Sequence, residues 1–212
     1  MAAPLRIGLA GLGTVGATVA QHLVAGSIEG VCVSVISARD ATKDRGFDPS
    51  SMRFVDNPLE MATAEDVDLV VELIGGQDGV AYELVQASLK AGKPVVTANK
   101  AMLAAHAHDL SELSVTGQGA AVPLAYEAAV AGGIPVIKTV REGLAGNQIQ
   151  RLAGILNGTC NYILTRMEEA KLSFADALRE AQDKGFAEAD PALDVSGVDA
   201  AQKLSILSAL AF

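Results

Sequence analysis

The sequence predicts an α/β fold, a doubly wound parallel sheet followed by the beginning of an α+β domain. Three observations predict it. Short apolar runs alternate with helical stretches along the first part of the chain, and that alternation forces right-handed crossovers between parallel strands. Half of the residues are apolar but only 4% are aromatic, so the core must be assembled from Ala, Val, Leu and Ile, which suits helices packed closely on a parallel sheet. Finally, the first apolar run ends in a glycine-rich turn that leads directly into a helix.

The elements follow in order. Leu5 to Ala10 is a short apolar run ending in glycines, and Thr14 to Ala25 suits a helix, so the opening reads as strand, tight turn, helix. Val31 to Ser37 makes a second strand, Val67 to Ile74 a third and Pro94 to Ala98 a fourth, with a helix over Gly79 to Ala91 between the last two. A fifth strand, Ala120 to Ala125, precedes Glu127 to Gly133 and a helix from Pro135 to Glu142. Beyond this the pattern changes. Gln148 to Leu156 has strand character, whereas Gly158 to Ala170, Ser173 to Lys184 and Gly197 to Phe212 are helical. The chain therefore divides into a nucleotide-binding domain over 1–135 and the start of a substrate-binding and catalytic domain over 136–212. The last helix reaches the chain end without a cap, so that second domain reads as truncated.

Composition excludes several partners. A formal charge of -9 over 212 residues argues against nucleic acid and anionic membrane, because both require clustered Lys and Arg to displace counterions. The apolar opening from Leu5 to Val15 is interrupted by three glycines, unlike a signal-peptide core, and no stretch is apolar enough to span a bilayer. Cys32 and Cys160 have no metal-ligand spacing and read as free thiols in a reducing cytoplasm.

Gly11-Leu12-Gly13-Thr14-Val15-Gly16 fits G-x-G-x-x-G between the first strand and first helix, where dinucleotide binding requires it and where the fold becomes Rossmann-type. Gly11 permits the tight turn, Gly13 lets the backbone approach a pyrophosphate, and Gly16 allows close helix-strand packing; the alternative is an ordinary glycine turn. The helix N-terminus faces the phosphates with unpaired N–H groups. At the end of the second strand, Ser37-Ala38-Arg39, the acidic residue that would hold a ribose 2′-hydroxyl comes late, as Asp40. Arg39, Lys43 and Arg45 instead suit a 2′-phosphate, and the reading leans to NADP, with NAD as the alternative, against a merely solvated loop.

Asp199 and Lys203 stand one helical turn apart on one face. The helix around them is apolar nearly all round, so it should be largely buried. A buried carboxylate and ammonium make either a structural ion pair or an active site in which water is excluded for proton transfer. Spacing alone leaves both open.

Five segments in order now resemble one family: Gly11 to Gly16, Thr97-Ala98-Asn99-Lys100, Glu127 to Pro135, Gly154 to Tyr162 (Gly-Ile-Leu-Asn-Gly-Thr-Cys-Asn-Tyr), and Glu188 to Lys203. Together they resemble homoserine dehydrogenase over essentially the whole chain. The resemblance implies an NAD(P)-dependent oxidoreductase that interconverts L-homoserine and L-aspartate 4-semialdehyde in threonine, methionine and isoleucine biosynthesis. It implies Lys203 as the proton-transferring residue, Lys100 as a second lysine beside the reacting centre and cofactor, and Asp199 and Glu188 as residues that hold homoserine. Thr14, Val15 and Gly185 match cofactor contacts. Glu127, Val130, Gly132 and Ile134 match a sodium site built largely from main-chain oxygens, a hard ligand set suited to such an ion. It further implies a cytoplasmic homodimer for the complete protein.

Two other classes compete. A thiolate at Cys160 would make an acylating aldehyde dehydrogenase, but such a thiolate needs a base. His22, His106 and His108 all lie upstream in segments that read as helices of the nucleotide domain, so a small apolar packing role suits Cys160 better. The second alternative is a cofactor-binding module or inactive fragment without catalysis, since members of the family continue well past the final helix.

Overall fold

A computed structural model describes residues 3–116 and 121–212. The chain forms two compact units, Met1–Val136 and Ile137–Phe212.

The first unit is a six-stranded sheet in the order β3-β2-β1-β4-β5-β6, and every neighbouring pair is parallel. Strand β1 (Leu5–Ala10) lies at its centre, between β2 (Val31–Ser37) and β4 (Leu69–Glu72), with β3 reduced to Arg53–Phe54 at one edge. β5 (Val95–Thr97) and β6 (Leu124–Ala125) extend the other side. The crossovers run through α1 (Thr14–Val24), α2 (Val80–Lys90) and α3 (Lys100–Thr116), and a 3-10 turn at Pro58–Ala62 precedes β4. The inner strand faces are Val, Leu and Ile because both faces of such a sheet are covered by helices: Leu9, Val35 and Val70 are fully buried. Strand order reverses between β1 and β4, and the carboxyl ends of these strands open a crevice there, the position at which doubly wound sheets bind ligands.

The expected strands hold with shorter ends. Val67 and Ile74 fall outside β4 because local bonds claim their amides, Val67 N–H donating to Ala64 O and Ile74 N–H to the Glu72 carboxylate. Ala120, the first residue of the expected fifth strand, lies outside the described residues.

The second unit is helical. α4 (Val136–Lys138) continues as a π-helical turn at Thr139–Gly143, where Leu144 N–H reaches back to Thr139 O at 2.9 Å. The expected helix over Pro135 to Glu142 is therefore wound loosely. α5 (Gly158–Glu169) and α6 (Phe174–Asp183) pack on each other; Ala177 and Ala181 are fully buried with Ile163 and Ala187, small side chains that let the helices approach. α7 (Ala192–Val195) and α8 (Val198–Ala211) complete the unit.

Two expectations fail here. Residues 148–156 form no strand: a strand needs a neighbour to pair its N–H and C=O groups, and among the described residues none is aligned with this segment. Nor is α8 largely buried. Asp199, Ile206 and Leu207 are covered, but Val198 is 40% and Leu204 42% exposed, because within this unit the helix rests on α7 and the π-helical turn along one side only.

Candidate active site

The glycine turn builds one wall of the crevice, a cleft of about 950 Å³ lined by Gly11, Gly13, Arg39 and the Gly75-Gly76 turn among others. Gly11 has φ +94°, and a Cβ there would lie 2.5 Å from the main chain of Leu73. A Cβ on Gly16 would run into the carbonyl oxygen of Gly11, whereas one on Gly13 would meet only open space. Helix α1 begins after Gly13 with no side-chain cap, so the N–H groups of its first turn are open to an anion. Thr14 and Val15, in that turn, are exposed.

The opposite wall is fixed by residues outside the glycine motif. Glu72, fully buried at the end of β4, accepts hydrogen bonds from Ile74 N–H at 2.7 Å and Gly75 N–H at 3.1 Å. Its other oxygen accepts the Thr97 hydroxyl proton at 2.5 Å. Asn99 donates to Gly76 O at 2.7 Å and accepts from Met102 N–H at 3.2 Å. The Thr97-Ala98-Asn99-Lys100 segment thus ties the glycine turn after β4 to the start of α3, where Lys100 sits half-buried. A buried acid closing a strand before Gly-Gly was the sequence signal for this network.

After β2, Arg39 and Lys43 are exposed and line the cleft. Arg45 behaves differently. Its guanidinium also lines the cleft but donates to three carbonyl oxygens, Leu12 at 3.0 Å, Lys43 at 2.8 Å and Asp40 at 2.7 Å, so three of its five N–H groups are engaged within the protein. The Asp40 carboxylate turns back on Thr42, accepting its N–H at 2.8 Å and its hydroxyl at 2.7 Å, and these bonds hold its pKa below the usual range.

In the second unit Lys203 and Asp199 meet. Lys203 Nζ lies 2.7 Å from Asp199 Oδ2, with the lysine side chain 20% and the aspartate 7% exposed, and it donates also to Leu156 O at 2.8 Å. Asn157 organises the pair. Its amide donates to Asp199 Oδ2 and Asp194 Oδ1, each at 2.8 Å, while its oxygen caps α5 by accepting Cys160 N–H at 2.7 Å. The sequence carried a signal for the cap, an Asn one residue before a helix, but not for the bridge between two carboxylates.

The loop from Gly185 to Asp190 leaves α6 through Gly185 at φ +74°, the left-handed position that ends a helix. It is held by main-chain bonds from Phe186 and Ala187 to Ala181 O, by the Thr159 hydroxyl on Phe186 O at 2.8 Å, and by Gln182 on Glu188 O at 3.1 Å. Glu188 itself is exposed. The thiol of Cys160 donates to Asp194 O at 3.1 Å; burial and then the Asp194 and Asp199 charges push its pKa up, the reverse of what a nucleophile needs. Residues 137–212 contain no histidine to serve as its base.

In the first unit, Glu127–Ala129 forms a 3-10 turn, and Ala131 at φ +59° with Gly132 at φ +56° follows in left-handed conformation. Such consecutive turns expose main-chain carbonyls; Ile134 O, however, accepts Val136 N–H at 2.8 Å, and Val130 is fully buried. Among the described residues no group of three or more His, Cys, Asp or Glu side chains could hold a metal ion, and no helix is long and apolar enough to cross a membrane.

The NAD-binding domain of homoserine dehydrogenase matches residues 11–123, and the homoserine dehydrogenase family matches residues 135–212. A homoserine dehydrogenase of Neisseria gonorrhoeae is 46% identical over 99% of this chain and 48% of its own length. The crystal structure of a homoserine dehydrogenase from Thiobacillus denitrificans superposes with a TM-score of 0.87 at 42% identity, over 99% of this chain and 49% of that one. A hyperthermophilic archaeal homoserine dehydrogenase in complex with NADPH gives 0.83 at 27% identity, over 99% of this chain and 70% of that one. The chain spans about half the length of the curated relatives it matches. With both family matches falling in order along it and the glycine cleft in its first unit, the chain belongs to the homoserine dehydrogenase family.

Proposed function

We propose that this chain is the cofactor-binding and catalytic part of a homoserine dehydrogenase, interconverting L-homoserine and L-aspartate 4-semialdehyde with NADP, or with NAD, in threonine, methionine and isoleucine biosynthesis. The observation that carries the reading is the Lys203–Asp199 pair, bonded at 2.7 Å and braced by Asn157 and Leu156 O. The ammonium is left partly open to solvent while its carboxylate is covered, as a group that meets a substrate requires. Lys203 engages two acceptors among the described residues, and an ammonium has three N–H groups, which leaves one for a substrate oxygen.

A bound nicotinamide dinucleotide supplies the hydride acceptor or donor. Gly11, Gly13, Thr14, Val15 and Gly16 with the α1 N-terminus fit its pyrophosphate, and Arg39 with Lys43 fits a 2′-phosphate; Gly185 is a further cofactor contact in this reading. When the semialdehyde is reduced, Lys203 gives a proton to the oxygen that becomes the hydroxyl; in the reverse direction the neutral amine takes it. Lys100 stabilises negative charge on that oxygen electrostatically. Asp199 orients Lys203 and, with Glu188, binds the amino-acid end of the substrate, so that binding becomes orientation. The turn from Glu127 through Val130, Gly132 and Ile134 is the place for a sodium ion, supported by the two left-handed residues at its centre. The working form in this reading is a cytoplasmic homodimer.

The test is reduction of NADP+, followed by the ultraviolet absorbance of the product, with L-homoserine and sodium present. Lys203→Ala should lower turnover by about 100-fold or more, within the range a positioned acid-base contributes, with NADPH affinity unchanged. Equal loss of cofactor binding in the variant would sink this division of roles.

A further inference from the structure

We infer that Arg45 is a positioning residue that locks the loop after β2 onto the glycine turn of the dinucleotide cleft, so that affinity for any pyridine dinucleotide, and not the choice between a phosphorylated and a free ribose, depends on it. The inference rests on the reading of this cleft as the cofactor site.

The geometry singles Arg45 out among the three basic residues after β2. Arg39 and Lys43 are exposed, whereas Arg45 is half-buried. Its Nε donates to the carbonyl of Leu12, inside the glycine turn that faces the pyrophosphate, at 3.0 Å. Its two terminal nitrogens donate to Lys43 O and Asp40 O, in the loop that faces the ribose, at 2.8 and 2.7 Å. One planar guanidinium therefore spans both regions, which a lysine ammonium on its flexible stem cannot reproduce. The main chain of Arg45 is held in turn: Gln21 of α1 donates to its carbonyl at 2.6 Å, and Asp44 accepts the Gly46 N–H at 2.9 Å. With Asp40 closed on Thr42, the loop is a folded unit that Arg45 ties to the glycine turn. Preformed walls lower the ordering cost that a ligand otherwise bears. Selectivity is left to the exposed side chains of Arg39 and Lys43.

Equilibrium binding of NADPH and of NADH to the full chain, followed by nicotinamide fluorescence, tests this with Arg45→Met, which retains the apolar stem and removes the fork. Both dissociation constants should rise by the same factor, roughly tenfold for the loss of hydrogen bonds from a charged group. The NADPH-to-NADH ratio should stay at its wild-type value. Arg45→Lys should weaken both nucleotides equally as well, and it decides the matter if Arg45→Met does not fold. Arg39→Ala should give the opposite signature, weakening NADPH alone. A selective loss of NADPH in either Arg45 variant, or no loss of either nucleotide, would overturn the inference. A wild-type chain that binds neither nucleotide would overturn the cofactor assignment itself.

Discussion

Gly13 and Gly16 lie within one turn of α1, yet the structure asks different things of them. Gly16 is a packing glycine: a methyl group there would meet the Gly11 carbonyl, and the turn would have to move. Gly13 has φ -73°, which alanine adopts freely, and open space beyond it. Gly16→Ala should therefore destabilise the folded protein by about 1–3 kcal/mol, as overpacking does, visible as a lower melting temperature without ligand. Gly13→Ala should melt as the wild type does and still bind NADPH more weakly, because the space its methyl enters is where a pyrophosphate approaches. Identical behaviour of the two variants in both assays would show that the glycines share one role. The motif assigned the two residues different duties, and the contact that a methyl group at Gly16 would make agrees with its packing role. Arg45 was named for its charge and position, and the structure adds three carbonyl partners that the sequence did not reveal.

At the scale of elements, α5 and α6 are joined by a polar cluster beside their alanine-lined core. Glu180 accepts from Tyr162 at 2.8 Å, from Arg166 at 3.0 Å and from Lys184 at 2.6 Å, and these bonds, Lys184 first, lower its pKa from 4.5 to about 2. A carboxylate depressed in the folded state contributes stability above its unfolded pKa and loses it as pH falls toward the folded value. The second unit should accordingly lose thermal stability between about pH 4.5 and pH 2. In Glu180→Gln that segment of the melting-temperature profile should be flatter; an unchanged slope would assign the acid sensitivity to other carboxylates of the second unit. Helices α5 and α6 were legible because their caps, Asn157 and Ser173, and their apolar periodicity are local features. The segment 148–156 misled because alternation marks a chain able to pair and says nothing of whether a partner strand is present.

For the whole molecule, ligand linkage links the cleft to stability. If NADPH binds the folded first unit and not the unfolded chain, free NADPH at 100 times its Kd should stabilise by about 2.7 kcal/mol, read as a rise in melting temperature. Lys203→Ala should show the same rise, since that residue belongs to proton transfer and not to cofactor binding. A smaller rise in the variant would draw Lys203 into the cofactor site.

What the sequence by itself determined was whatever is written in neighbouring residues. The alternation of apolar runs and helical stretches fixed a parallel sheet, the glycine spacing fixed the turn between β1 and α1, and the interval from Asp199 to Lys203 fixed one helical face. Tertiary structure decided what depends on residues far apart in sequence. It brought Leu12 under Arg45, Thr97 onto Glu72 and Asn157 between Asp194 and Asp199, and it left much of α8 uncovered. Periodicity reports which face of an element is apolar, but which groups a buried donor satisfies is settled only when distant segments pack and each polar atom must find a partner.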